Sequence, residues 1–217
     1  YVALAAFYKD LESYVYTQTI PWNFAGYEFE TTTPPASDWG TFSAPANGSG
    51  GYMRGVEFSL ALEGNLFHEA LDGFGTQLNA SYTESSIDPD GPGGSSTDTF
   101  PGLSKIVANA TVYYEKNGFS ARLSQRFRDP YRGEYSYIFG QRSYRYTLNE
   151  RTIDLQLGYD FPETSSLSGL SVLFQVNNLN NEPFRTEVSD SNGLGLFFPE
   201  EYTEYGRQYL LGFRYKL

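Results

Sequence analysis

The dominant period of apolar positions along the chain is two rather than 3.6, so strands are predicted and helices are not. In 119–128 one face is Phe119, Ala121, Leu123, Gln125 and Phe127, and the other is Ser120, Arg122, Ser124, Arg126 and Arg128. Ile153, Leu155, Leu157, Tyr159 and Phe161 alternate with Asp154, Gln156, Gly158 and Asp160. The same alternation recurs in 56–63, 74–82, 106–114 and 170–177. The two ends add Tyr1 to Tyr8 and Tyr209 to Leu217, where Leu211, Phe213, Tyr215 and Leu217 oppose Leu210, Gly212, Arg214 and Lys216. This predicts about eight strands of roughly 10–14 residues, against about 5–6 in soluble proteins and about 9–11 for a tilted strand crossing a bilayer.

The connections alternate in length. Asn117-Gly118 is the pair a tight type I′ hairpin favours, and 64–73 and 161–168 are also short. The intervening 17–51, 87–102, 131–146 and 181–204 are long and hold most of the Pro, Gly and Asp. Short turns on one side and long loops on the other match the periplasmic and extracellular ends of outer-membrane barrels. The expected fold is therefore an all-β, antiparallel transmembrane β-barrel of about eight strands, located in the outer membrane of a Gram-negative cell. Arg122, Arg126 and Asp154 fall mid-strand on the polar face and are expected to face a lumen. Aromatic residues gather at strand ends, where a ring that is apolar with a wet hydroxyl suits a bilayer interface.

Composition changes the picture in three places. The formal charge of −11 argues against binding a nucleic-acid backbone. With no cysteine and one histidine, thiolate metal sites, multi-histidine metal sites and cysteine nucleophiles are excluded; no metal, cofactor or catalytic residue is expected. The mean hydropathy of −0.45 averages two opposed strand faces with large polar loops. It is no argument against a membrane barrel.

At the C-terminus, 174–184 (Phe174-Gln175-Val176-Asn177-Asn178-Leu179-Asn180-Asn181-Glu182-Pro183-Phe184) and the segment from Glu204 to Leu217 resemble the last hairpin of TonB-dependent receptors. Phe7-Tyr8-Lys9-Asp10-Leu11 with Tyr14 and Tyr16 is similar to one of their middle strands, and Gly51-Tyr52-Met53-Arg54-Gly55-Val56-Glu57 to a strand opening. The resemblance implies a 22-stranded barrel closed by an N-terminal plug. It implies import of a scarce solute with energy relayed by the TonB complex. Residues 1–217 then correspond to the last part of that barrel, and none of them resembles the plug. The form of the last strand is most similar to members that scavenge plant or chitin sugars, so an oligosaccharide is favoured over a ferric siderophore.

Aromatic residues in the long segments suit stacking on sugar rings, or packing of one loop on another. Trp22, Trp39, Tyr131, Arg132, Tyr135, Arg142, Tyr144 and Arg145 are the candidate ligand contacts. Arg122, Arg126 and Arg128 form a basic row that either steers an anionic ligand or pairs with plug carboxylates, or else is solvated in the lumen and pairs with acids on neighbouring strands. The asparagines of 177–181 are expected to ease a turn, and His68 to sit in a solvated turn. Asp88-Pro89-Asp90-Gly91 lacks the spaced ligands of a calcium loop. Outer-membrane lipid and lipopolysaccharide are the expected surroundings. The competing reading is a complete eight-stranded barrel with a structural or adhesion role; an outer-membrane enzyme is disfavoured because no nucleophile accompanies His68.

Overall fold

The computed structural model describes residues 1–28, 30, 33, 36–87, 99–138, 141–189 and 195–216, with backbone alone at 134–138 and 141–143. It is all-β and antiparallel. The strands are β1 (Val2–Asn23), β2 (Trp39–Glu63), β3 (Phe74–Ile87), β4 (Ile106–Lys116), β5 (Phe119–Arg128), β6 (Tyr131–Ile138), β7 (Gln141–Thr147), β8 (Glu150–Asp160), β9 (Leu170–Asn177), β10 (Phe184–Ser189), β11 (Phe197–Thr203) and β12 (Gln208–Tyr215).

The chain divides into two compact units. The first holds Tyr1–Phe7, Arg54–Glu84 and Pro101–Leu217. Its main sheet has eight strands in the order β1-β2-β3-β4-β5-β8-β9-β12, and these are the eight strands that the alternation predicts. β1 and β12 are the two edges of that order, so the described strands do not close into the ring of a small complete barrel. Leu217, expected at the end of the last strand, lies outside the described residues.

Register explains why one face is apolar. Phe74, Tyr114, Ala121, Leu157, Phe174 and Leu211 stand opposite one another in turn across six strands. The next row is Thr76, Val112, Leu123, Leu155, Val176 and Tyr209. A side-chain period of two then puts every intervening residue on the other face. That face carries rows such as Gln77, Thr111, Ser124 and Asp154.

Little of the apolar face is covered by protein. Val112 is 55% exposed, Leu211 63% and Phe213 68%, and the buried hydrophobics among the described residues are Tyr16, Ile87 and Val176. A soluble domain gains its stability from the apolar area it removes from water. A sheet with so little buried core requires another apolar medium.

The turns on one side are short and internally bonded. Asn117 and Gly118 have φ of 52° and 80°, the paired left-handed geometry of a type I′ turn. Between β2 and β3 two single 3₁₀ turns, Gly64–Leu66 and Glu69–Leu71, fill the connection. His68 caps the second, accepting at Nδ1 from the amide of Ala70 at 3.0 Å.

Three of the long segments, 17–51, 131–146 and 181–204, correct the sequence reading, because their described residues are largely strand. β6, β7, β10 and β11 form a second sheet in the order β11-β10-β7-β6. The second unit, Tyr8–Met53 with Ser85–Phe100, holds the continuations of β1 and β2. Here glycines of β2 make room for the rings of Tyr16 on β1 and of Phe24 just after it. A Cβ on Gly48 would come 3.2 Å from Tyr16 Cδ1, and one on Gly40 would come 3.1 Å from Phe24 Cε2.

Candidate functional site

The four-stranded sheet gathers most of the expected ligand contacts and sorts them onto two faces. Arg132 stands opposite Tyr146, and its guanidinium lies 4.8 Å from the centroid of the Tyr144 ring. Tyr146 in turn meets Phe197 edge-on at 5.2 Å. This face is an aromatic layer with Arg132 folded into it, only 3% exposed. Arg132 therefore supports the sheet rather than reaching outward, which the sequence did not reveal.

The opposite face is mixed: Val188 stands opposite Arg145 and Phe198 opposite Val188, beside a set of hydroxyl and charged groups. Tyr131 stands opposite Thr147, and Thr147 opposite Thr186. Between Thr186 and Glu187 the register slips, leaving Glu200 as the extra residue of a bulge. A bulge re-aims a side chain, and Glu200 lands on Arg145. Arg145 Nε donates to Glu200 Oε2 at 2.6 Å, and its Nη2 donates to Oε1. Thr186 Oγ1 donates to the same carboxylate at 3.0 Å.

These hydrogen bonds hold the Glu200 carboxyl below the usual carboxylate range, Arg145 being the largest cause and partial burial opposing it. The same contact raises Arg145 above its ordinary value. The pair is a planar fork-to-fork contact, the geometry that fixes an arginine in one pose. The side chain of Arg145 remains 53% exposed, so its outer edge is open to a ligand.

Tyr131 is fixed from below. The Arg128 guanidinium sits 3.9 Å from its ring centroid. Arg128 is held by Ser104 Oγ at 2.8 Å and the Gly102 carbonyl at 2.7 Å. Tyr135 pairs with Tyr144, and Arg142 with Tyr137, through the backbone; the side chains of Tyr135 and Arg142 lie outside the described residues. So does Asp88-Pro89-Asp90-Gly91.

In the second unit, Trp22 is on β1 and Trp39 on β2, strand positions where loops were expected. Trp22 packs against Phe42 with ring centroids 5.7 Å apart. Trp39 is 64% exposed.

The residues expected to face a lumen share the polar face of the main sheet. Arg126 Nη2 is 3.0 Å from Asp154 Oδ2, and Arg122 is 3.5 Å from Glu115. Both arginines thus pair with acids on neighbouring strands, one of the readings left open for them. Asp154 does a second job: its Oδ1 accepts from the amide of Asn178 at 2.9 Å.

That contact begins a clasp built by the asparagines. Asn178 has φ of 55°, and its side chain accepts from the Glu182 amide at 2.7 Å. It donates to the carbonyls of Glu182 and Gly206, both at 3.1 Å. Asn180 accepts from the Ile153 amide at 3.0 Å and donates to the Arg151 carbonyl at 2.6 Å. The asparagines thus end β9, tie it to β8 and set the entry to β12, which is the turn role expected of them.

The chain matches the family model described as TonB dependent receptor-like, beta-barrel, over residues 1–179. No curated protein and no solved structure matches it.

Proposed function

The chain belongs to the TonB-dependent receptor β-barrel family, and on that premise we propose that residues 1–217 are the C-terminal part of the barrel of an outer-membrane importer. Members of this family are transporters of the Gram-negative outer membrane rather than enzymes. They take up small solutes and engage TonB. In the proposed receptor an N-terminal plug outside these residues fills the lumen and carries the contact with the TonB complex. Lipid and lipopolysaccharide surround the barrel.

The observation that carries this reading is the exposed apolar face. Its rows run unbroken across six strands, while the opposite face carries Arg122, Arg126 and Asp154. Lipid outside and water or plug inside account for both faces together. Arg122, Arg126 and Asp154 then line the lumen.

The solute is an oligosaccharide in preference to a ferric siderophore. Sugar rings present apolar faces and hydroxyl edges, and they call for rings beside hydrogen-bonding groups. Trp22 on β1 and Trp39 on β2 supply rings in the second unit. Tyr131, Tyr144 and Arg145 supply rings and donors on the four-stranded sheet, with Tyr135 and Arg142 on the same hairpin. Arg132 acts through the Tyr144 ring beneath which it is buried. Titrating the full receptor with maltodextrins, chitooligosaccharides and ferric siderophores tests this. Saturable binding of a sugar series is expected, and binding of a ferric complex alone overturns the sugar assignment.

A further inference from the structure

We propose that the β2–β3 connection, residues 64–73, is a lipid-interface anchor, with Leu66, Phe67 and Leu71 seated among phospholipid headgroups and upper acyl chains on the short-turn side. The inference rests on the outer-membrane barrel reading.

A solvated turn is expected to be polar. This one presents Leu66 at 70% exposure, Phe67 at 69% and Leu71 at 41%. Five of its amides are also bonded within the turn. The amides of Phe67 and His68 donate to the Gly64 carbonyl at 3.0 and 3.3 Å. The Leu71 amide donates to the His68 carbonyl at 2.9 Å, the Asp72 amide to Glu69 at 3.1 Å, and the Ala70 amide to His68 Nδ1. Backbone groups bonded within a segment lower its cost of leaving bulk water; this turn has five such amides while its apolar side chains project, and its remaining backbone groups are placed at headgroup level, where water is present.

Continuity names the occupant. Phe74 opens β3 directly after the turn, and its ring lies 4.6 Å from that of Tyr114, which is 6.2 Å from Phe119. Phe119 stands opposite Tyr159, whose ring meets Phe161 at 5.0 Å. This aromatic band ends the apolar sheet face, where aromatic side chains mark a bilayer boundary. The turn extends the band at β3 by another layer. Lys116 and Asp72, 3.0 Å apart at its flank, supply a charge pair at headgroup level. The two-residue turn at Asn117-Gly118 carries no comparable apolar group.

The test places a nitroxide label at one position at a time in the full receptor, otherwise free of cysteine, in phosphatidylethanolamine–phosphatidylglycerol vesicles. The variants are Phe67→Cys, Leu123→Cys on the apolar face, and Glu163→Cys in the exposed β8–β9 turn. Collision with oxygen and with a water-soluble nickel chelate is read at each. The expected result is a shift at position 67 towards oxygen over nickel, intermediate between positions 123 and 163. A label at 67 that reads like 163 overturns the anchor. So does one shielded from both reagents, which means that protein covers the turn. If position 123 also reads as aqueous, the barrel reading falls together with the anchor.

Discussion

The side chain of Asn178 donates to the carbonyl of Gly206 at 3.1 Å, joining the end of β9 to the start of β12 across 28 residues of sequence. Three side-chain hydrogen bonds and a left-handed backbone converge on this asparagine. Asn178→Ala removes the bonds, at about 1 kcal/mol each, and adds about 1 kcal/mol of left-handed strain. The expected loss is about 2–4 kcal/mol in urea unfolding of the full receptor in detergent. Asn178→Gly keeps the backbone conformation and should lose less. Equal losses would mean that only the side-chain bonds matter.

A second test concerns Gly75. A Cβ there would come 2.2 Å from Tyr113 Cζ, so the Tyr113 ring lies over the space that the glycine leaves open. Gly75→Ala displaces that ring and is expected to destabilise, whereas the same change in a Tyr113→Ala background is expected to be tolerated. The coupling in a double-mutant cycle should fall within about 0.5–3 kcal/mol, as for residues in contact. Additive effects would show that the ring has an alternative seat.

The same contact shows what was legible in the sequence. Alternation located β3, β4, β5, β8, β9 and β12 because each strand is apolar on one face by itself. Asn117-Gly118 fixed its turn because two adjacent positive φ values have few other solutions. What escaped was pairwise. Residues 39–51 read as a loop because Gly40, Gly48, Gly50 and Gly51 break any pattern; they are strand because Phe24 and Tyr16 fill the space over Gly40 and Gly48. At the candidate site, Tyr144 and Arg145 were visible as residue types. Their separation onto opposite faces was not, and neither was Glu200, which a bulge delivers to Arg145 from 55 residues away.

On the polar face, Arg126 and Asp154 are unequal partners. The Arg126 side chain is 63% exposed, so losing the pair through Arg126→Ala should cost no more than about 1 kcal/mol. Asp154→Ala also frees the amide of Asn178 from its acceptor. It should cost more, because an unsatisfied donor adds about 1–3 kcal/mol. Urea unfolding of both variants decides. Equal costs would show that water replaces the carboxylate at Asn178.

The Arg145–Glu200 contact sets a pH dependence with a definite sign. Because the folded carboxyl titrates below its unfolded value, its stabilising effect is complete above the ordinary glutamate range near about 4.3. It is lost as pH falls from that range through the lower folded value. Amide exchange in β7, β10 and β11 should therefore stay slow above the ordinary range and rise as pH falls from it through the lower folded value. Glu200→Gln should abolish that step. Persistence of the step in the variant would assign it to another acid.

Solute binding separates ligand contacts from supports. Trp39 is exposed, so Trp39→Ala should leave unfolding unchanged and weaken sugar binding by about 1–3 kcal/mol, the magnitude of stacking a planar ring on an aromatic side chain. At the upper end this is more than a hundredfold in Kd. Tyr144→Ala should behave differently, because the Tyr144 ring lies against the buried Arg132 guanidinium. Its removal exposes that charge's apolar seat and should lower the stability of the four-stranded sheet as well as affinity. Calorimetric titration beside urea unfolding distinguishes the two. A Trp39 variant with unaltered affinity moves that ring from the ligand surface to a packing role, and leaves the Arg145 face as the surface to probe next.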